Sequence, residues 1–135
     1  MVILYDRFNL PQDIFEIIFA TSQQEIVAKE LIKFMASKKG EIDKTTMSEF
    51  ATKLHDGNYE CILEEAPYKG KRVKLSYNKR QFYDRILTPM KAMGLIDYDL
   101  YKKTYRISVK FAQDLVKVGA MWKEKCRQMG IHDSQ

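Results

Sequence analysis

Residues 75–108, LSYNKRQFYDRILTPMKAMGLIDYDLYKKTYRIS, decide the fold of this chain, because a helical pattern is followed directly by the pattern of two short strands. The helical pattern comes from apolar residues at intervals of three and four positions: Phe82, Ile86, Met90 and Met93. This spacing stacks their side chains on one face of a helix. Gly94 follows them and supplies the C-terminal stop. We therefore predict a helix over about residues 78–93 whose apolar face packs on a core.

The opposite side of the same helix is rich in cations, and we call it the polar face. It consists of Arg80, Gln81, Asp84, Arg85 and Thr88. Because it lies away from the apolar stripe, it should face solvent or a partner. Arg80 and Asp84 are four residues apart, so an ion pair within the helix is the alternative interpretation of both residues.

Pro89 interrupts the regular helical pattern. It cannot donate a backbone hydrogen bond to the carbonyl of Arg85, and it disfavours helical geometry at Thr88. We expect a kink in the second half of the helix and regular geometry in the first half.

After Gly94 the sequence is rich in aromatic and β-branched residues. Two strand-like segments cover residues 95–98 and 104–107, and the residues between them include Lys102 and Lys103. This pattern predicts a hairpin with a charged tip. The tip sequence contains no glycine or proline, so it does not indicate a turn type.

The composition indicates one globular domain over residues 1–135, with 45% hydrophobic and 30% charged residues. A chain of this size buries a core without disulfides or metal. Its longest apolar run is far below the roughly 18 residues of a membrane span, and its first residues mix acid and base, unlike a signal peptide. We therefore expect a cytoplasmic protein. Cys61 and Cys126 are too few for a disulfide framework and are interpreted as small buried hydrophobes.

Charge is distributed unevenly along the chain. Residues 1–67 contain 7 Lys and Arg against 12 Asp and Glu, whereas residues 68–135 contain 16 against 6, so the halves carry −5 and +10. Such asymmetry is typical of a polyanion binder, because cations that neutralise phosphates release counterions. A solvated basic surface is the alternative interpretation.

The first half of the chain predicts three helices and one edge strand. Pro11 opens a short helix that is apolar nearly all round and should be buried in the domain or in a partner. Capping-box pairs predict the starts of the next two helices: Ser22 with Glu25, and Thr46 with Glu49. Between these helices, residues 41–43 are long enough only for an edge strand.

Residues 59–75 allow two structures. Residues 59–66 could form a helical turn that Pro67 breaks, or Tyr59, Cys61 and Leu63 could pair with Val73 and Leu75 as a hairpin. We favour the hairpin. In either case the nearby cations add to the positive field of the following helix: Lys69, Lys71, Arg72 and Lys74.

Ser108 can cap a last helix that runs to about residue 129. Its apolar residues recur at spacings close to a coiled-coil seam: Phe111, Leu115, Val118 and Trp122. This pattern predicts a homodimer interface. Docking of the helix on its own domain is the alternative.

The order of these elements resembles the winged helix-turn-helix family of DNA-binding regulators, over about residues 22–108. Residues 79–83, KRQFY, resemble the start of a recognition helix, and residues 94–96, GLI, resemble the turn into the wing. The resemblance implies an α+β, mostly α, winged helix-turn-helix fold with extra N-terminal and C-terminal helices. One feature departs from the family pattern, because roughly twenty residues separate Gly57 from Asn78, where a compact helix-turn-helix uses about 3–4.

The resemblance implies that the helix enters the major groove of DNA and that the wing contacts the backbone or the minor groove. The implied recognition-helix residues are Asn78, Lys79, Arg80, Gln81, Asp84, Arg85 and Thr88. The implied wing and backbone residues are Lys69, Lys71, Arg72, Lys74, Lys102, Lys103 and Arg106. Arginine can donate two hydrogen bonds to guanine, and glutamine can pair with adenine. Each such contact discriminates against the wrong base by about 1–3 kcal/mol.

No pattern for catalysis or metal binding stands out in the sequence. The chain's histidines and cysteines are His55, Cys61, Cys126 and His132, and they lack the tight spacing of zinc motifs. A phosphate-binding glycine loop and a nucleophile motif are both missing from the sequence. We therefore expect no enzyme, no cofactor and no bound metal.

The leading hypothesis is a dimeric transcription regulator that binds specific sequences of double-stranded DNA. One alternative is an assembly module that uses the same fold to bind proteins. Another is RNA binding, in which exposed bases would stack on tyrosines. Those tyrosines are Tyr77, Tyr83, Tyr98, Tyr101 and Tyr105.

Overall fold

The computed structural model describes residues 6–62 and 70–132. Its first elements are α1 (Ile14–Ile18), α2 (Ser22–Ser37), β1 (Glu41–Asp43), α3 (Lys44–His55), β2 (Tyr59–Ile62) and β3 (Arg72–Leu75). These are followed by α4 (Lys79–Gln81), a π-helical segment (Phe82–Leu87) and α5 (Thr88–Met93), which together form one continuous helix. We call it the central helix (residues 79–93). The remaining elements are β4 (Ile96–Asp99), β5 (Thr104–Ile107) and α6 (Lys110–Gln128).

The strands form two small antiparallel sheets, so the fold is α+β with a majority of helix. One sheet has the order β1-β5-β4, in which β1 is an edge strand, as predicted. The other is the β2–β3 hairpin, with Tyr59 opposite Leu75 and Cys61 opposite Val73. The hairpin prediction is therefore confirmed over residues 59–62, and the alternative prediction of a helical turn is wrong for these residues. Leu63 and Lys69 lie outside the described residues.

The core lies between α2, α3, the central helix and the three-stranded sheet. The central helix contributes fully buried Phe82, Ile86 and Met90, so the predicted apolar stripe is confirmed, and Leu87 is buried as well. Phe82 lies 5.7 Å from the ring of Phe50 in α3. Each large side chain buried in this way stabilises the fold by about 1.5–3 kcal/mol relative to exposure.

The irregularity in the central helix lies earlier than the sequence predicts. The π-helical segment occupies residues 82–87, so the expectation of a regular first half is wrong. The N–H of Thr88 bonds to the carbonyl of Tyr83, five residues back. Pro89 follows at once, and its ring would clash with the carbonyl four residues earlier in a regular α-helix. The wider π turn before the proline relieves this conflict.

Two helix caps differ from the capping-box predictions, by one residue in α2 and by three residues in α3. Thr21, not Ser22, caps α2, and its hydroxyl accepts a hydrogen bond from the N–H of Gln24 at 3.1 Å. Asp43 caps α3 and accepts from the N–H of Thr46 at 2.7 Å. That hydrogen bond lowers the pKa of the Asp43 carboxyl. Adjacent short polar residues offer competing caps, and the side chain that reaches the third N–H decides the start.

Helix α1 is not buried in the domain, so that part of its prediction is wrong, and burial in a partner stays a prediction. No residue of α1 is fully buried, and Ile14 is exposed. Phe19, directly after the helix, enters the core instead. The short helix lies on the surface with Phe15 towards the core, and Asp13 pairs with Lys29 of α2 at 2.9 Å.

The base of α6 is fixed tightly to the end of the central helix. Gly94 has a left-handed backbone, with φ of 87°, and its carbonyl accepts the N–H of Phe111 at 3.1 Å. Lys110 pairs with Asp97 of β4 at 2.8 Å. Ser108 accepts a hydrogen bond from the N–H of Lys110, as a residue at the helix start should. The direction in which α6 leaves the domain is therefore set at this junction.

Within the described residues, none of the helices has the length and apolar character needed to span a bilayer.

Candidate nucleic-acid interface

The polar face of the central helix is exposed along its whole length. Its five residues are all solvent-accessible, and the side chain of Arg80 is 91% exposed. Arg80 lies 3.8 Å from Asp84, so the ion pair that the sequence offered as an alternative is present. An exposed pair at this spacing contributes only about 0.3–0.5 kcal/mol. Both groups can therefore exchange this contact for a ligand at little cost.

Asn78 has a structural role at the start of the central helix. Its side chain accepts a hydrogen bond from the N–H of Gln81 at 3.0 Å. This contact caps the helix and fixes the position from which Arg80 projects. Asn78 is exposed beside the polar face.

Lys79 ties the central helix to α3. Its ammonium group donates to the hydroxyls of Ser48 at 3.2 Å and Thr52 at 2.9 Å, and its side chain is part-buried there. Its backbone N–H donates to Nδ1 of His55 at 3.1 Å. Lys79 was predicted to bind DNA, but in this structure its side chain is engaged by α3. We infer that it positions the helix.

Replacing Lys79 with methionine tests this positioning role. The substitution keeps most of the apolar stem and removes the two hydrogen bonds to α3, so unfolding should become easier by about 1–2 kcal/mol. Urea unfolding followed by circular dichroism measures this change. Lys74→Met, at an exposed strand position, is the control and should change stability by less than about 0.5 kcal/mol. Equal stability of the two variants would contradict the role.

The tip of the β4–β5 hairpin (residues 100–103) is organised by Asp99. The Asp99 carboxylate accepts the N–H groups of Lys102 and Tyr101, and these bonds lower its pKa. Lys103 adopts a left-handed backbone, with φ of 55°, and its N–H closes the turn onto the carbonyl of Asp99. Lys102 and Lys103 are thereby held exposed. The sequence feature that could have predicted this turn is Asp99 itself, because an aspartate at the first position of a turn accepts hydrogen bonds from the backbone N–H groups that follow it.

The start of α3 lies beside this tip. The N–H of Lys44 donates to the carbonyl of Lys103 at 3.0 Å, and Lys44 itself is exposed. Sequence reasoning missed Lys44, because it placed the helix start at Thr46. The structure thus brings a third lysine next to Lys102 and Lys103.

The described parts of the insertion between α3 and the central helix (residues 58–62 and 70–77) contact α3 and α2. Tyr59 packs against Phe50, with ring centroids 4.9 Å apart. Burial, together with the charge of the neighbouring Glu30 of α2, raises the pKa of Tyr59 to about 12. Gln23 of α2 donates to the carbonyl of Ser76 at 3.2 Å. The described strands of the insertion therefore leave the polar face uncovered.

The cations of the insertion are mixed with acidic residues. Arg72 lies 3.7 Å from Glu60, and Lys74 is the cross-strand neighbour of the same glutamate. Lys71 is exposed, and Lys69 lies outside the described residues. The positive field predicted for this segment is thus partly neutralised on the described strands.

Arg106 is surrounded by carboxylates rather than grouped with the tip. Its neighbours across β1 and β4 are Glu41 and Asp97, and its guanidinium lies 3.9 Å from Asp97. We therefore leave Arg106 out of the candidate interface.

Most of the tyrosines predicted for base stacking pack within the domain. Tyr77 and Tyr105 are buried, and Tyr83 and Tyr98 are half-buried. Tyr101, at the hairpin tip, is the exception, being 99% exposed.

Within the described ranges, no three His, Cys, Asp or Glu residues lie close enough together to hold a metal ion.

The candidate interface consists of the exposed residues described above: the polar face, the hairpin tip and Lys44. Comparison of this chain with protein-family models, with curated proteins and with solved structures finds no match.

Proposed function

We propose that this chain is a winged helix-turn-helix protein that binds specific sequences of double-stranded DNA and regulates transcription. The polar face of the central helix enters the major groove, and the β4–β5 hairpin is the wing. The observation that carries the proposal is an exposed cation-bearing face on the helix that leads directly into this hairpin.

The order of elements supports the winged-helix part of the proposal. Helix α2 is followed by β1, α3, the insertion, the central helix and the β4–β5 hairpin. The sheet order β1-β5-β4 pairs the β4–β5 hairpin with the first strand, as a wing would be. Helix α3 and the central helix correspond to the two helices of the helix-turn-helix, with the insertion between them.

The dimensions and chemistry of the polar face support groove binding. A helix with side chains is about 10–12 Å across, and the major groove is about 12 Å wide. Arg80, Gln81 and Arg85 are exposed on the first turns of the central helix, and helices of this class contact bases with their N-terminal residues. Two arginines and a glutamine suit guanine and adenine edges.

The cations at the hairpin tip suit phosphate contacts. Lys102 and Lys103 are exposed next to Lys44. Lysine acts as a point charge without a planar fork, which suits phosphate better than base readout. These three residues position the protein on the duplex and carry no sequence preference.

A salt titration of duplex binding tests the proposal. The duplex is selected from a randomised pool, and a random duplex of equal length serves as reference. About five cations contacting DNA should lower the affinity by about 10²–10³-fold between 50 and 200 mM salt. The selected duplex should bind at least about 10³-fold more tightly than the reference. Weak, sequence-independent binding would instead favour the assembly module.

Lys102→Ala tests the role of the wing. Loss of one phosphate contact should weaken binding to selected and random duplexes alike, and should reduce the slope of log affinity against log salt by about 1. Binding isotherms at several salt concentrations measure both quantities.

The matched control is Lys38→Ala, which removes the same charge at the end of α2. Lys38 is exposed, and the neighbouring Gly40 accepts a hydrogen bond from Ile107, at the end of β5 remote from the tip. The slope of log affinity against log salt for Lys38→Ala should equal that of the unmodified protein. If the two variants gave equal slopes, the hairpin tip would not contact DNA.

A further inference from the structure

Helix α6 extends away from the domain, and within residues 6–62 and 70–132 most of its apolar stripe is left uncovered. Of its 19 residues, only Phe111 and Cys126 are half-buried, and the others are exposed. The stripe includes Leu115, 48% exposed, Val118, 49% exposed, and Trp122, 66% exposed. An isolated helix of this length is marginal in water, because helices in proteins owe most of their stability to packing of an apolar face. A partner that covers the stripe would supply this packing.

We infer that α6 pairs antiparallel with α6 of a second copy of this chain. This pairing goes beyond DNA binding and does not depend on it. The seam is formed by residues that recur over five turns of the helix: Phe111, Leu115, Val118, Trp122 and Met129. The twofold axis passes near Gly119.

Charge complementarity favours a second copy in the antiparallel direction. Asp114 and Lys125 are 11 residues apart. In an α-helix this separation is three full turns and about 20° more, so both side chains flank the stripe on the same side. A twofold axis near Gly119 places Asp114 of each copy beside Lys125 of the other. The existing contact of Asp114 with Lys117 is exposed and 3.9 Å long, so it can yield.

The parallel arrangement is disfavoured by the same charges. The C-terminal half of α6 carries Lys123, Lys125 and Arg127, with Glu124 as its one acidic residue. Parallel helices would bring these basic ends together, whereas antiparallel helices separate them. Like charges at close range are destabilising, and the effect grows as water is excluded from the seam.

Gly119 supports close approach at the proposed axis. A Cβ atom at this position would meet nothing within 4 Å in the single chain. Glycine inside a helix is less favourable than alanine. The register that sets Asp114 beside Lys125 places Gly119 at the level of Ala120 of the second copy, and the missing side chain lets the two backbones approach.

A continuous apolar surface on α6 is available for the pairing. The large apolar side chains on this side of α6 are between 48% and 66% exposed: Leu115, Val118, Met121, Trp122 and Met129. An aromatic side chain buries roughly 150–250 Å², so the exposed 66% of Trp122 offers about 100–165 Å² on each copy. The other four side chains extend this surface along the helix.

Solution mass measured with the full chain tests the pairing. Sedimentation should give twice the chain mass of 15.9 kDa, and dilution should shift the emission of Trp122, the single tryptophan, to the red as it enters water. Val118→Glu should give a monomer at every concentration tested, because it places a charge in the seam. The control Gln113→Glu introduces the same side chain on the opposite face and should leave the dimer intact.

Circular dichroism and thermal unfolding show whether each variant keeps the folded domain. Val118 and Gln113 are both exposed outside the core, so the domain should unfold at the same temperature in both variants. An unmodified chain that is monomeric at high concentration would overturn the pairing. If that monomer still bound selected DNA, the proposed function would stand without it.

Charge reversal tests the direction of the helices. Asp114→Lys and Lys125→Asp should each weaken the dimer by about tenfold, because each converts two attractive contacts into repulsive ones. An equimolar mixture of the two variants should form a one-to-one heterodimer, since every contact between them is again attractive. Absence of this heterodimer would overturn the antiparallel arrangement.

Discussion

Replacing Gly94 with alanine should destabilise the fold by about 2–4 kcal/mol. Gly94 has a φ of 87°, where a side chain costs about 1–2 kcal/mol. A Cβ atom there would also lie 3.0 Å from the backbone nitrogen of Phe111 and 3.2 Å from Cβ of Lys110. Neither neighbour yields easily, because the first turn of α6 is hydrogen-bonded to Gly94 itself. Urea unfolding followed by circular dichroism measures the loss.

Gly40→Ala is the matched control for this prediction. Gly40 also has a positive φ, 83°, but a Cβ atom there would meet nothing within 4 Å. Its substitution therefore reports the backbone cost alone. The difference between the two variants isolates the contact between Gly94 and the base of α6. If both variants lost the same stability, that junction would be more adaptable than its distances imply.

The parts of the fold that depend on local repetition could be predicted from the sequence. Phe82, Ile86 and Met90 form a stripe because every third or fourth residue faces the same way, and all three are buried. The β4–β5 hairpin follows from its β-branched and aromatic residues. The polar face then follows as the side opposite the stripe. Its use as a DNA contact stays a prediction.

Features that depend on distant contacts could not be predicted. Lys79 and Arg80 are adjacent and both basic, yet Lys79 bonds to Ser48 and Thr52 while Arg80 extends into solvent. The difference is set by which face of the helix meets α3. Arg106 similarly lies opposite Glu41, far away in sequence. In these cases the sequence indicates the charge, whereas the fold decides its partner.

The removal of both polar-face arginines, Arg80→Ala with Arg85→Ala, should abolish sequence preference in DNA binding. Each bidentate contact to guanine discriminates by about 1–3 kcal/mol, so the double variant should lose about 2–6 kcal/mol on the selected duplex. The random duplex should lose less, because binding there depends on phosphate contacts from the wing. Competition between the two duplexes at one salt concentration measures the preference directly.

Arg106→Ala is the control that separates position from charge. It removes the same side chain type, also exposed, from a site flanked by the carboxylates of Glu41 and Asp97. It should leave the preference for the selected duplex unchanged. If the double variant weakened both duplexes equally, Arg80 and Arg85 would contact phosphates only. The bases would then be read by another part of the protein or through the shape of the duplex.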